Sequence, residues 1–226
     1  MKALKKVAFT IHYYIKMMAW QTLFLLCCLL NCVESSASTL VSKYKYNNSF
    51  RLTRSTRTRV QQLLKKYKEQ QLGNTHFENR SQHLTELPFL STDLDKWLKL
   101  SNWDRLHAAF WDLQAYWKML ERKRKQLERE QNEQIVVDVA QTTLLRNMRH
   151  IQLDLRDLMS QVSNQMRLIR SSWIRPMTAA AHLNPRRSTR TVWDDRVEGY
   201  IILRDLNLYL TKLARDFLLL ASKTQI

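Results

Sequence analysis

The side chains that could do covalent chemistry are few and scattered. The six histidines of this 226-residue chain are His12, His76, His83, His107, His150 and His182. No two are three or four apart, the spacing that puts two ligands on one helix face. No Glu-x-x-His occurs for a di-iron bundle, and no His-Glu-x-x-His or Gly-x-Ser-x-Gly for hydrolysis. With two glycines in all, no glycine-rich phosphate cradle can be built. The reading is a protein without catalytic residues, metal or cofactor, whose histidines lie at the surface or are satisfied in the core.

Surface recognition is the chemistry left, and tryptophan and arginine dominate binding hot spots. Trp193 and Arg196 are three apart, hence on one face of a helix. The competing reading is that Trp193 caps the end of a core. Trp111 lies off the apolar seam of its helix, whereas Trp103, Phe110 and Trp117 read as core. Gly199 is an anomaly, because glycine inside a helix costs about 1 kcal/mol relative to alanine. It is read as allowing close approach by a crossover loop or a partner.

The formal net charge is +17. Basic residues concentrate in Arg54-Ser55-Thr56-Arg57-Thr58-Arg59, Arg122-Lys123-Arg124-Lys125 and Arg186-Arg187-Ser188-Thr189-Arg190. Such runs suit phosphate, but an exported chain meets sulfated glycans and acidic receptors instead. Retention on heparan sulfate or steering to a receptor is then the functional reading, and a solvated face is the bland one. Nucleic acid is not expected as a partner.

Export is read from residues 1–37. Lys2, Lys5, Lys6 and Lys16 form a basic front, an apolar run follows from Met17 to Leu30, and Ser35 and Ala37 fit a cleavage site. The apolar core is shorter than the roughly 20 residues of a membrane anchor. Cleavage would remove Cys27, Cys28 and Cys32, the only cysteines. Residues 38–226 would then form a cysteine-free extracellular domain held by apolar burial alone. Asn47-Asn48-Ser49 and Asn79-Arg80-Ser81 are glycosylation sequons, and both are expected outside helices.

Five glycines and prolines together cannot serve the turns of a β-sandwich or barrel, so the elements are long helices. The first is read over Thr58–Leu72, with Val60, Leu63, Leu64 and Tyr67 at helical spacing and Gly73 as its left-handed cap. The second opens at the capping pattern Ser101-x-x-Asp104 and breaks near Asn132. Its seam is Trp103, Leu106, Phe110, Leu113, Trp117, Leu120 and Leu127. The third runs through Leu144, Met148, Ile151, Leu155, Leu158, Val162, Met166 and Ile169. The fourth opens at Thr191-x-x-Asp194 and runs to about Ala221 on Trp193, Val197, Tyr200, Leu203, Leu206, Leu210, Leu213, Phe217 and Leu220. Ile201, Ile202, Leu208 and Leu218 are read as widening its buried face.

Connection lengths predict the topology. A short link permits only antiparallel neighbours, whereas a link near 28 residues can span a helix and start a parallel one. Long–short–long predicts an all-α, up-up-down-down four-helix bundle with two long crossover loops.

Two segments resemble the interleukin-6-type long-chain helical cytokines, in the leukaemia inhibitory factor, ciliary neurotrophic factor and cardiotrophin-like branch. Ser91-Thr92-Asp93, Trp97, Leu100, Arg105-Leu106 and Leu113-Gln114-Ala115-Tyr116 resemble the end of the first crossover and the start of the second helix. Trp193 to Phe217 resembles the branch's fourth helix, which begins Phe-x-x-Lys with a glycine six residues after the Phe. Within the branch the chain is similar to the fish leukaemia-inhibitory-factor-like cytokines. The resemblance implies a secreted monomeric ligand that brings class I receptor chains together. It puts Trp193, Arg196 and Gly199 at the contact with a leukaemia-inhibitory-factor-receptor-type chain. For a glycoprotein-130-type chain it implies exposed faces of the first and third helices, here Gln61, Lys65, Asp154 and Asp157. The departures are Trp for Phe and Arg for Lys; the planar fork of Arg presents a different geometry to a partner. The alternative function is a basic helical glycosaminoglycan binder.

Overall fold

A computed structural model describes residues 2–90, 93–133, 139–176 and 191–223. Ser91, Thr92, the basic run 186–190 and the side chains of the basic front and the three cysteines lie outside the described residues. The elements are α1 (Lys2–Leu72), α2 (Leu94–Lys99), α3 (Asn102–Asn132), α4 (Val139–Ile169) and α5 (Val192–Lys223), with no strand among the described residues.

Helix α1 begins far before the expected Thr58. Among the described side chains of α1 the first buried one is Tyr46, and the buried line continues through Ser49, Thr53, Thr56, Val60, Leu63 and Tyr67 in alternating steps of three and four. Three of these seven, Ser49, Thr53 and Thr56, are small hydroxylic residues, so a search for apolar periodicity picks the helix up too late. The hydroxyls are satisfied by turning back onto their own helix. Thr53 donates to the Ser49 carbonyl at 2.7 Å and Thr56 to the Leu52 carbonyl at 2.8 Å, which lets polar side chains enter the interior without an unmade hydrogen bond. Gly73, at φ 65°, ends α1 as expected.

Helices α3 and α5 start where the sequence places them, whereas α2 is not among the expected helices and α4 begins at Val139, ahead of Leu144. Ser101 Oγ accepts the Asp104 N–H at 3.1 Å and Thr191 Oγ1 the Asp194 N–H at 3.1 Å. The seams of α3 to α5 fill one apolar interior, with Phe110, Leu113, Ile151, Leu158, Leu206 and Leu213 essentially inaccessible. Fully burying each such side chain is worth about 1.5–3 kcal/mol. Several expectations shift. Trp103 and Trp117 are half-buried, and Tyr116 and Ala109 take the inner positions beside them. Leu208, Leu218 and Ile169 are exposed rather than core.

Among the described residues the four packed helix pairs run antiparallel. Between α1 and α4, Ser49 meets Gln161 and Thr56 meets Asp154. Between α1 and α5, Arg57 meets Asn207 and Tyr67 meets Arg196. Arg124 of α3 reaches Gln152 of α4, while Leu127 accepts from Gln141. Arg105 of α3 pairs with Asp216 of α5, and Lys123 reaches Asp195. The side chains described in the apolar run, including Trp20, Leu23 and Phe24, are exposed and add nothing to the core. Among the described residues no helix is long and apolar enough to cross a membrane.

Candidate functional site

The first turn of α5 is held from three sides. At its start the Thr191 hydroxyl and N–H both donate to Asp194 Oδ2, at 2.8 and 3.0 Å. From α1, the Tyr67 hydroxyl donates to the Arg196 carbonyl at 3.0 Å. From α3, Lys123 Nζ donates to the Asp195 carbonyl at 2.6 Å, and Arg122 pairs with Glu198 at 2.7 Å. Burial pushes the Lys123 ammonium below its ordinary pKa, against the attraction of Glu130, Asp195 and Glu198. Burial likewise raises the Tyr67 phenol, so it stays a protonated donor.

Gly199 makes this convergence possible. It is buried, and a Cβ there would lie 2.6 Å from Tyr67 Cζ and 2.8 Å from Lys123 Cε. The close approach expected at this glycine is therefore made by α1 and α3 inside the fold. Gly199 supports the surface and is not part of it, which corrects its placement among contact residues.

Trp193 stands on that fixed turn with 49% of its surface exposed. One edge meets the Phe77 ring at 5.9 Å and 84°, and Phe77 in turn meets Tyr200 at 5.0 Å and 88°. Lys68 lies over the Tyr200 ring at 5.4 Å. The loop carrying Phe77 is tied to α5 by Arg204, which donates to the carbonyls of Asn79 and Gln82. An open groove runs between this loop and α5, with Val197 and Ile201 in its lining. Arg196 is exposed one turn on from Trp193. The arrangement offers a rigid aromatic face beside a cation, which can bind a partner's surface but has no group placed to break a bond. Among the described residues no cluster could hold a metal ion.

The other expected contacts are not one patch. Asp154 is buried and engaged within the fold: Arg59 donates to both its oxygens at 2.7 and 2.6 Å, and Thr56 adds a bond at 3.3 Å. It is an internal acceptor, which corrects its expected exposure. Asp157 is exposed. Gln61 and Lys65 are exposed and border a hollow with Lys68, Thr75 and His76. At 3.6 residues per turn, Lys65 lies about half a turn around α1 from Thr56, the side that meets Asp154. Asn47 sits inside α1, half-buried, contrary to the expected loop, and Asn79 lies in the loop after α1.

Sequence reasoning missed Tyr67, Phe77 and Lys123 as supports, because a basic run reads as solvated. It also missed a second aromatic cluster at the opposite end of the bundle. There Trp111, 42% exposed, donates to His107 Nε2 at 3.1 Å, Trp103 and Trp173 meet edge-on at 5.6 Å, and Arg170 lies over Trp103 at 4.2 Å.

Four long helices packed around one apolar interior define an all-α helical bundle. A family model described as ciliary neurotrophic factor matches residues 30–226, and the chain belongs to that family. Its members are helical cytokines, signalling ligands and not enzymes. No curated protein matches the chain significantly.

Proposed function

We propose that the protein is an exported, monomeric cytokine that brings class I receptor chains together, of the leukaemia-inhibitory-factor-receptor and glycoprotein-130 types. Residues 1–37 act as a removable leader, in keeping with an apolar run that stands outside the core. The four antiparallel pairings support an up-up-down-down order for α1, α3, α4 and α5. Trp193 and Arg196 form the centre of one receptor surface. Gln61 and Lys65 on α1 and Asp157 on α4 lie on surfaces available to the other chain. The mechanism needs no chemistry in the ligand: two separate patches engage two receptors, and the second engagement benefits from raised effective concentration.

The observation that carries this reading is a half-exposed tryptophan on a turn fixed by Tyr67, Lys123 and Arg122. A preorganised aromatic anchor loses little freedom on binding, and such anchors each contribute about 2 kcal/mol or more. The test is Trp193→Ala with Arg196→Ala, measured by binding to the receptor ectodomains and by receptor phosphorylation on cells. A loss of 100-fold or more with an unchanged unfolding midpoint is expected. Normal binding by the folded double variant would remove the site.

A further inference from the structure

Of the described basic runs, the structure pairs most of 122–125 with carboxylates, whereas in 54–59 it pairs Arg59 with Asp154 and leaves Arg54 without a carboxylate partner among the described residues. In the run 122–125, Arg122 pairs with Glu198, Arg124 with Glu128, and Lys125 with Glu121, while Lys123 is buried. That run is internal wiring. On α1 there is no Asp or Glu from residue 35 through residue 68, and Arg59 alone there makes an ion pair among the described residues.

Four of the other cations in this stretch, Arg51, Arg54, Lys65 and Lys68, fall on one line, with Lys43, Lys45, Arg57 and Lys66 off it. Arg51, Arg54, Thr58, Gln61, Lys65 and Lys68 follow one another in steps of three and four, which keeps them on one outward stripe. The first five are exposed and Lys68 is half-buried. At 1.5 Å per residue the stripe is about 25 Å long. The neutral members, Thr58 and Gln61, are hydrogen-bonding side chains, so they do not interrupt a polar ligand.

We infer that the outer stripe of α1 from Arg51 to Lys68 binds a linear sulfated polysaccharide. The stripe offers spaced cations along a straight edge, which fits a linear polyanion of regular charge. Aromatic platforms are sparse along the stripe: Tyr67 is buried and Phe50, beneath Arg54, is half-buried, so a single strand would find little on which to stack its bases. Arg51 and Arg54 lie outside the residues offered to either receptor chain, whereas Gln61 and Lys65 are shared with one of those surfaces and Lys68 lies over Tyr200 beside the Trp193 face, so the Arg51–Arg54 end is the part that can hold polysaccharide while a receptor is bound.

The experiment is elution of the whole protein from immobilised heparin, with affinity measured as a function of salt. Arg51→Gln with Arg54→Gln is compared with Lys125→Gln and Arg129→Gln, which remove the same charge from α3. The α1 variant is expected to elute at clearly lower salt and to lower the slope of log affinity against log salt by about two, one per cation. The α3 variant is expected to stay near wild type, and Arg51→Lys with Arg54→Lys to retain binding. Equal shifts in both Gln variants would show net charge alone and overturn the stripe. Equal affinity for desulfated heparin, or for duplex DNA at matched salt, would overturn the assignment to sulfated polysaccharide. Receptor binding by the α1 variant is read separately, so loss of heparin affinity and loss of the receptor site cannot be confused.

Discussion

The Tyr67 ring lies directly over Gly199, with Cζ 2.6 Å from where a Cβ would stand and the hydroxyl closer still. This one contact joins the end of α1 to the turn of α5 that carries Trp193 and Arg196. It explains why a long helix tolerates a glycine in its second turn.

Gly199→Ala therefore sets two effects against each other. Alanine favours the helix by about 1 kcal/mol. The new methyl, however, meets a ring that is fully buried and so has no free volume to move into. Overpacking of this kind costs about 1–3 kcal/mol, and displacing Tyr67 also breaks its bond to the Arg196 carbonyl. The expected result is a net loss of about 1–3 kcal/mol in urea unfolding, with receptor affinity falling because the turn shifts. A more stable variant would show that Tyr67 is not held over the glycine.

Much of the fold is legible in the sequence because α3, α4 and α5 bury apolar side chains at helical steps, and α3 and α5 open with capping side chains. The first half of α1 is not, because Ser49, Thr53 and Thr56 are buried as hydroxyls and no hydropathy pattern marks them. That Trp193 and Arg196 share one face of α5 is visible from spacing. Their support is not, because Lys123 becomes internal only through a carbonyl on another helix, a partner 72 positions away. Asp154 misleads for the same reason: it lies between apolar seam positions, and only its distant partners Thr56 and Arg59 reveal that it is enclosed.

Asp112 gives a pH signature. Burial raises its carboxyl to about 6, with Lys212 opposing the shift and Asp216 adding to it. The folded state thus holds a proton that the unfolded chain, with a carboxyl near 3.9, has already released. The stabilising contribution is whole below about pH 4 and is lost as pH rises through about 6. Asp112→Asn should therefore raise stability at pH 7 by about 2–3 kcal/mol and give little gain at pH 4. Unfolding midpoints at the two pH values test it, and an equal gain at both would exclude titration as the cause.

Arg105 and Asp216 form a buried pair at 2.6 Å, with side-chain exposures of 0% and 1%. Trp97 Nε1–H donates to the same carboxylate at 2.7 Å, and Arg105 donates to the Trp97 carbonyl at 2.6 Å. The pair thereby anchors α2, in the first crossover, to the bundle. Asp216→Ala should cost about 3–5 kcal/mol, because it strands the Arg105 guanidinium in the interior. Replacing both, with Arg105→Met and Asp216→Leu, should recover most of that loss. Denaturant midpoints of the three proteins decide it; additive losses would show that the two charges do not depend on each other.

Asp154 separates an internal role from a contact role. Its carboxylate receives Arg59 and Thr56 across the α1–α4 boundary. Removing it leaves the Thr56 hydroxyl with its bond to the Leu52 carbonyl, so the threonine is not orphaned. The Arg59 side chain is half exposed, at 50%, and can return to water. The cost of Asp154→Ala is accordingly about 1–2 kcal/mol, smaller than for Asp216, where the arginine has no route to solvent. Receptor affinity should change little once stability is accounted for, whereas a variant of the exposed Asp157 should leave the unfolding midpoint alone. If Asp154→Ala kept full stability and lost receptor binding, the carboxylate would belong to the surface and the internal assignment would fail.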